Sequence, residues 1–208
     1  MKKIIFALGA SLAIVSCGNE TSTTAPAADT TQQTPAPSTD TAVVVVDFLT
    51  DTVALQQAQE SLKALPKHAG KKLNVYKDVE FHKTGKVTAT IQDPENAKSA
   101  NQFEYNNGQW QQVAVVAIPV EEDLTVSLTP IEEINFVTVS AVVKAHKAKA
   151  TIVEGASGEL DKVKFVVTPH KIKEWETNDI EGTKSKFKIK FNKKGEVVEF
   201  KEKEKPTK

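Results

Sequence analysis

Arginine is absent from this chain of 208 residues, and all 27 of its basic residues are lysine. Arginine supplies the rigid fork that grips phosphate and carboxylate with paired hydrogen bonds, and it makes the commonest specific base contacts. Its absence argues against nucleic-acid recognition. Cysteine occurs once, at Cys17, so no disulfide can close within the chain and no thiol-based metal site can be built. A GxSxG elbow, a phosphate-binding glycine loop and a dinucleotide fingerprint are all missing. The four histidines, His68, His82, His146 and His170, form no HExxH or HxH pair. No cofactor and no metal are expected, and a non-enzymatic role is preferred.

What is present begins with Lys2 and Lys3, followed by an apolar run over 4–15 that only Gly9 and Ser11 interrupt. A basic start and a short apolar stretch before a small residue, Ser16, form the layout of a secretory signal. A membrane-spanning helix needs about 20 apolar residues, so this run is long enough for export and too short to span. Ile14-Val15-Ser16-Cys17 is similar to the lipobox of bacterial lipoproteins. In that family the cysteine sulfur receives a diacylglycerol, the chain is cut just before it, and the new amine is acylated, commonly with palmitate. The resemblance covers residues 1 to about 18 and implies a cleaved signal over 1–16 and a lipidated Cys17. A thiolate suits that alkylation because it is the best nucleophile among the side chains. One acyl chain anchors only marginally, whereas two or three hold durably. Gly18 stands where an Asp would resemble an inner-membrane retention signal. The implied location is therefore the outer membrane, facing the periplasm.

Residues 17–41 hold the lipid site and a stretch of Thr, Ala, Pro, Ser, Gln and Asp with no aromatic or large aliphatic residue. Such a composition cannot bury enough surface to offset chain entropy, and it predicts a disordered tether. As a flexible coil it would reach roughly 25–30 Å. Charge is uneven beyond it. Residues 41–143 carry 13 acids against 8 lysines, whereas residues 144–208 carry 17 lysines against 11 acids. The lysine-rich end is read as a solvated strand face followed by a frayed tail over 204–208.

The pattern of the domain is helix, then strands, twice. Leu55, Ala58, Leu62 and Leu65 form one helical stripe over 51–65, with Thr50 or Asp51 to cap it and Pro66 to stop it. Alternation predicts strands at 73–81 and 87–91, turned by Lys83-Thr84-Gly85. Asn106-Asn107-Gly108 predicts a tight hairpin, because Asn-Gly supplies the positive φ angles it needs. Residues 113–120 read as a more buried strand. Thr129-Pro130-Ile131-Glu132 looks like a helix start with a capping box. From there Ile134, Val137, Ala141, Ala145 and Ala148 predict a helical stripe over 130–149. A strand is the competing reading, because residues 136–143 are rich in β-branched side chains. Strands follow at 163–168, 172–176 and 186–191, the last with Phe187, Ile189 and Phe191 on one face. Asn192-Lys193-Lys194-Gly195 turns that strand into another over 197–200. The expected fold class is α+β, with two helix-plus-meander units over 42–128 and 129–203.

That layout resembles the periplasmic PepSY-like and β-lactamase-inhibitor-like modules in architecture alone, without a shared motif. The resemblance implies protein binding. Tyr105, Trp110 and Trp175 are the candidate binding aromatics, since exposed aromatic faces stack on sugars and partner side chains. Packing of the hairpins is the plainer role for each of them. The acids at Glu121-Glu122-Asp123 read as a loop, and Glu132-Glu133 as an acidic first turn. No two of them are spaced to work as a glycosidase pair. The expected partners are the membrane, through lipid on Cys17, and an envelope protein or glycan. The rival readings are an envelope hydrolase or glycan-active enzyme, and a purely structural envelope component.

Overall fold

The computed structural model describes residues 47–167 and 172–203. The export segment, Cys17, the 18–41 stretch, His170 and the 204–208 tail lie outside the described residues. The chain divides into two units, Met1–Ala42 and Val43–Lys208, and every described residue belongs to the second.

A 3₁₀ turn over Phe48–Thr50 leads into helix α1, Thr52–Lys63. The Asp51 carboxylate caps α1 by accepting the N–H groups of Val53 and Ala54, both at 3.0 Å. Two of the four donors that a helix start leaves unpaired are thereby satisfied. Leu55, Ala58 and Leu62 are fully buried along one stripe, as their spacing predicts, and Leu65 packs at its edge. Four antiparallel strands follow: β1 (Asn74–His82), β2 (Val87–Asp93), β3 (Asn96–Asn106) and β4 (Gln109–Ala117). The β3–β4 turn holds Asn107 at φ 49° and Gly108 at φ 82°, the two positive angles of the tight turn read from the sequence.

After β4 the chain crosses back through a short helix, α2 (Leu124–Ser127), to β5 (Leu128–Pro130), which pairs with the first three residues of β1. Thr129 does not cap a helix: it lies in β5 opposite Val75, and its buried hydroxyl finds no hydrogen-bond partner. Pairing with β1 holds Thr129 in extended backbone, so the capping box cannot form. Ile131–Glu133 makes only a 3₁₀ turn, and helix α3 spans Thr138–Ala150. Asn135 serves its start instead, its side-chain oxygen accepting the Val137 N–H at 3.1 Å. The buried face of α3 is Val139, Val142, Val143, His146 and Ala150, rather than the alanine stripe. The larger valines turn inward and leave Ala141 and Ala148 exposed.

The remaining strands are β6 (Lys162–Val167), β7 (Lys173–Glu176), β8 (Ile180–Glu181), β9 (Lys186–Asn192) and β10 (Val197–Lys203). All ten strands form a single antiparallel sheet in the order β10-β9-β7-β6-β1-β2-β3-β4, with β5 added on β1 and β8 on β9. The strands expected as two separate units instead run on as one continuous sheet, with β1 against β6 from Asp78 opposite Val166 to His82 opposite Lys162. The architecture is mostly antiparallel β with helices added. Alternate residues of the strands, among them Val79, Phe81, Ala89, Phe165 and Phe191, share one core with the buried stripes of α1 and α3. Both long helices thus cover the same face of the sheet. No described helix is long and apolar enough to cross a membrane.

Residues 113–120 depart from expectation. They belong to β4 and the segment after it, at the end of the strand order. Val113, Val115 and Val120 are 53%, 67% and 86% exposed on this edge strand and beyond it, and only Ile118 of the span is buried, against Tyr76 and Ala100.

Candidate functional site

Side chains alternate across a strand, so each residue sent to the core places its neighbours on the opposite face. On β1, Val79 and Phe81 point inward while Asp78, Glu80 and His82 point outward. The same rule puts Lys162 and Lys164 of β6, Glu174 of β7, Lys188 and Lys190 of β9, and Glu199 of β10 on that outer face. The result is a floor of alternating charge. Lys162 and the His82 ring both donate to Glu80, at 3.2 and 2.7 Å. Lys164 pairs with Asp78 at 2.7 Å, Lys190 with Glu174 at 3.0 Å and Lys188 with Glu199 at 3.4 Å. Lys86, just before β2, and Glu104 of β3 extend the pattern at 2.7 Å.

These pairs shape the local electrostatics. Burial pushes the Glu80 carboxyl up, but Lys162 and His82 outweigh it and hold it below the usual carboxylate range. The hydrogen bond to Asp78 raises Lys164, and the bond to Glu174 raises Lys190. Cross-strand ion pairs of this kind contribute roughly 0.2–1 kcal/mol each, so the ladder adds little stability for the chemistry it displays.

One end of this face is covered. Tyr76, Ala100 and Ile118 make a small separate cluster, with Leu124 and Leu128 packed against it. Tyr76 follows the core residue Val75, so the cluster lies on the face opposite α1, and the crossover after β4 runs over it. Lys77, at φ 68° in a bulge of β1, sits 4.8 Å over the Tyr76 ring and 3.5 Å from Glu122. Glu122 also accepts the Ser127 hydroxyl. A cleft of about 620 Å³ opens there between Lys77, Glu122, Ser127 and the end of β6.

A second cleft, of about 590 Å³, lies where α3 meets the segment before β8, lined by His146, Glu159, Asp179 and Lys186 among others. His146 is buried at its floor and donates from Nε2 to the Asn178 carbonyl at 3.3 Å. Burial lowers its pKa, against the raising effect of the Asn178 and Gly158 backbone. Asp179 is engaged by Lys186 and Lys203.

The three candidate aromatics are not on the open face. Tyr105, Trp110 and Trp175 are 7%, 8% and 0% exposed and belong to the core. Trp110 donates its indole N–H to the Ala58 carbonyl at 2.8 Å, and Trp175 donates its own to the Lys193 carbonyl at 3.1 Å. They are core residues and not exposed anchors: the alternation in Glu174-Trp175-Glu176 sends the indole to the core and the acids to the opposite face, where Glu176 is exposed and Glu174 is buried beside Lys190. Cys17 falls outside the described residues.

His68 is buried too, donating from Nδ1 to the Leu62 carbonyl at 2.9 Å and standing edge-on to Phe103. It does not meet His82, which is engaged by Glu80. Among the described residues no group of three His, Cys, Asp or Glu side chains could hold a metal ion. Glu133 is held below the usual carboxylate range by its hydrogen bond to Lys173. Asp123 caps α2 through the Thr125 N–H at 2.9 Å. Compared with family models, with known proteins and with solved structures, the chain matches none.

Proposed function

We propose that this chain is a bacterial envelope lipoprotein whose domain binds a protein partner, without turnover, through the open charged face of its sheet. The observation that carries this reading is the asymmetry of the sheet. Both long helices cover one face, and the other presents a ladder of lysines and carboxylates over β1, β6, β9 and β10. Charged ladders suit a protein surface of complementary pattern, where they set register and partner choice more than affinity. A glycan is the weaker fit, because sugars stack on aromatic faces and the three candidate aromatics are buried.

The lipobox-like Ile14-Val15-Ser16-Cys17 supports lipid attachment at Cys17 on the outer membrane, with 18–41 as the tether. The two halves, each a helix followed by antiparallel strands, are read as related units, and that layout supports the likeness to protein-binding periplasmic modules. Fold alone does not establish function, so the open face has to be tested directly.

Photo-crosslinking side chains placed in native envelopes provide that test. Thr90 and Lys188, on the open face, are expected to capture one shared partner, while Gln56 and Lys144, on the exposed sides of α1 and α3, capture none of it. Crosslinks from the helix positions alone would refute the face assignment. Hydrolytic turnover abolished by changing a single Glu, Asp or His would refute the binding reading itself. For the anchor, Cys17→Ser is expected to leave an uncleaved precursor that takes up no labelled palmitate. Normal maturation of that variant would remove the lipid from the proposal.

A further inference from the structure

The two edges of the sheet are unlike, and from this difference we infer that the outer edge of β4 pairs with β4 of a second copy of this chain. β10, at one edge, carries Glu199, Lys201, Glu202 and Lys203. An incoming strand would have to desolvate those charges, which is how natural sheets protect an edge. β4, at the other edge, has no charged residue from Gln109 to Ala117, and Ile118, Pro119 and Val120 continue uncharged. Among the described residues β4 pairs only with β3. Its Val113 and Val115 side chains are more than half exposed. A long, uncharged and partly apolar edge is a template for another strand.

Its composition identifies the occupant as a second copy. When two identical strands pair antiparallel about a twofold axis, residues at the axis meet themselves and their near neighbours. Any charge there would face its like, which is destabilising. Self-pairing therefore excludes a charge at the axis and is favoured by an uncharged run on either side of it, whereas strand addition from an unrelated protein gains from charges of opposite sign. The bulge in β4 falls at Val113, and the register is regular again from Ala114 opposite Gln102 to Ala117 opposite Ser99. An axis at Val115 uses this regular stretch: Val115 meets Val115 and Ala114 meets Val116. The helices of both copies then lie on one face of a continuous sheet, and both charged faces stay open on the other.

Sedimentation of the full chain tests the pairing, with detergent in excess so that a shared micelle does not mimic association. A dimer is expected at micromolar concentrations. Val115→Lys should raise its dissociation constant at least about tenfold, because two ammonium groups then oppose each other across the axis. Val198→Lys, on the exposed surface of β10, should leave it within about threefold, as should the strand-compatible Val115→Thr. Mixing Val115→Lys with Val115→Glu should restore the dimer, a rescue that a folding defect would not allow. A monomeric unmodified chain overturns the proposal, whether its edge is covered by its own N-terminal residues or reserved for another protein. A dimer that survives Val115→Lys, or a mixture that stays monomeric, overturns it equally.

Discussion

Each half of the sheet buries one tryptophan, and the two sit differently. Trp110 lies on the edge strand β4, retains slight exposure, stands 5.2 Å from Tyr105 and bonds to α1. Trp175 lies on the interior strand β7, is fully buried, and packs 5.1 Å from Phe165 and 5.9 Å from Phe81. Phe81 belongs to β1, so Trp175 crosses the joint and ties the second half to the first. The densest aromatic packing, with Phe136 edge-on to Phe81 at 4.8 Å, is therefore at the seam and not at the centre of either half. Two halves that share their best packing depend on each other for stability.

The largest test of this contrast is to remove each indole. Trp175→Ala should cost about 3–5 kcal/mol, the range for emptying a large aromatic site, and should loosen both halves in one transition. Trp110→Ala should cost less, because its site is at the rim and opens to water. Urea unfolding followed with probes in each half reads both. Two separate transitions in unaltered protein would break the comparison.

The hairpin glycines come next. Gly108 and Gly195 both hold positive φ, at 82° and 80°, so an alanine at either is disfavoured by about 1–2 kcal/mol. Their surroundings differ. A Cβ at Gly108 meets nothing within 4 Å, whereas at Gly195 it would stand 2.8 Å from Thr138 Cγ2 and 3.2 Å from Val142 Cγ2. Overpacking adds about 1–3 kcal/mol, so Gly195→Ala should be clearly the more damaging by thermal or urea unfolding. Equal losses would mean that α3 gives way to the added methyl group.

The helix starts are a finer comparison. Asp51 satisfies two backbone donors of α1, and Asn135 satisfies one near the start of α3. Asp51→Ala should cost about 1 kcal/mol and Asn135→Ala about half of that.

The smallest expected effect is a pH signature in the second half. Burial holds the His146 imidazole below its ordinary value of 6.5, so the unfolded chain takes up the proton first as pH falls through that value. The contribution is whole above about pH 6.5 and is lost as pH falls toward the folded value. Unfolding midpoints measured between about pH 7.5 and 5.5 should fall, and His146→Phe should flatten the trend. Glu80 and Glu133, held low by their lysines, lose their share only below the ordinary carboxylate value of 4.5, outside that window.

Features set by a few neighbouring residues were legible in the sequence. The Asp51 cap, the leucine stripe of α1, the Asn107-Gly108 turn and the Lys194-Gly195 turn all follow from local backbone and side-chain chemistry. Partners distant in sequence decided what was missed. Thr129 has the credentials of a helix cap, yet β1 claims its backbone for a strand. Val113 and Val115 look like core residues until the strand order places them at an edge. The charged face was half legible: alternation in β9 shows which lysines face outward, but the carboxylates that meet them come from β7 and β10. Only the register reveals those pairs.

β1 is the one described strand that pairs with elements far along the chain, β5 over Asn74–Tyr76 and β6 over Asp78–His82. Hairpins close quickly, whereas contacts of high sequence separation must first overcome the entropy of a long loop. A chain emerging from its N-terminus completes β1 to β4 while one side of β1 is still vacant. β5 arrives first and fills the near end of that side, shortening the search that β6 must make. Completing the sheet thus requires one strand to dock across a long loop, and a chain halted before Lys162 leaves Phe81 without its partner Trp175. Such a chain offers chaperones and proteases an apolar strand flank that the finished molecule never displays.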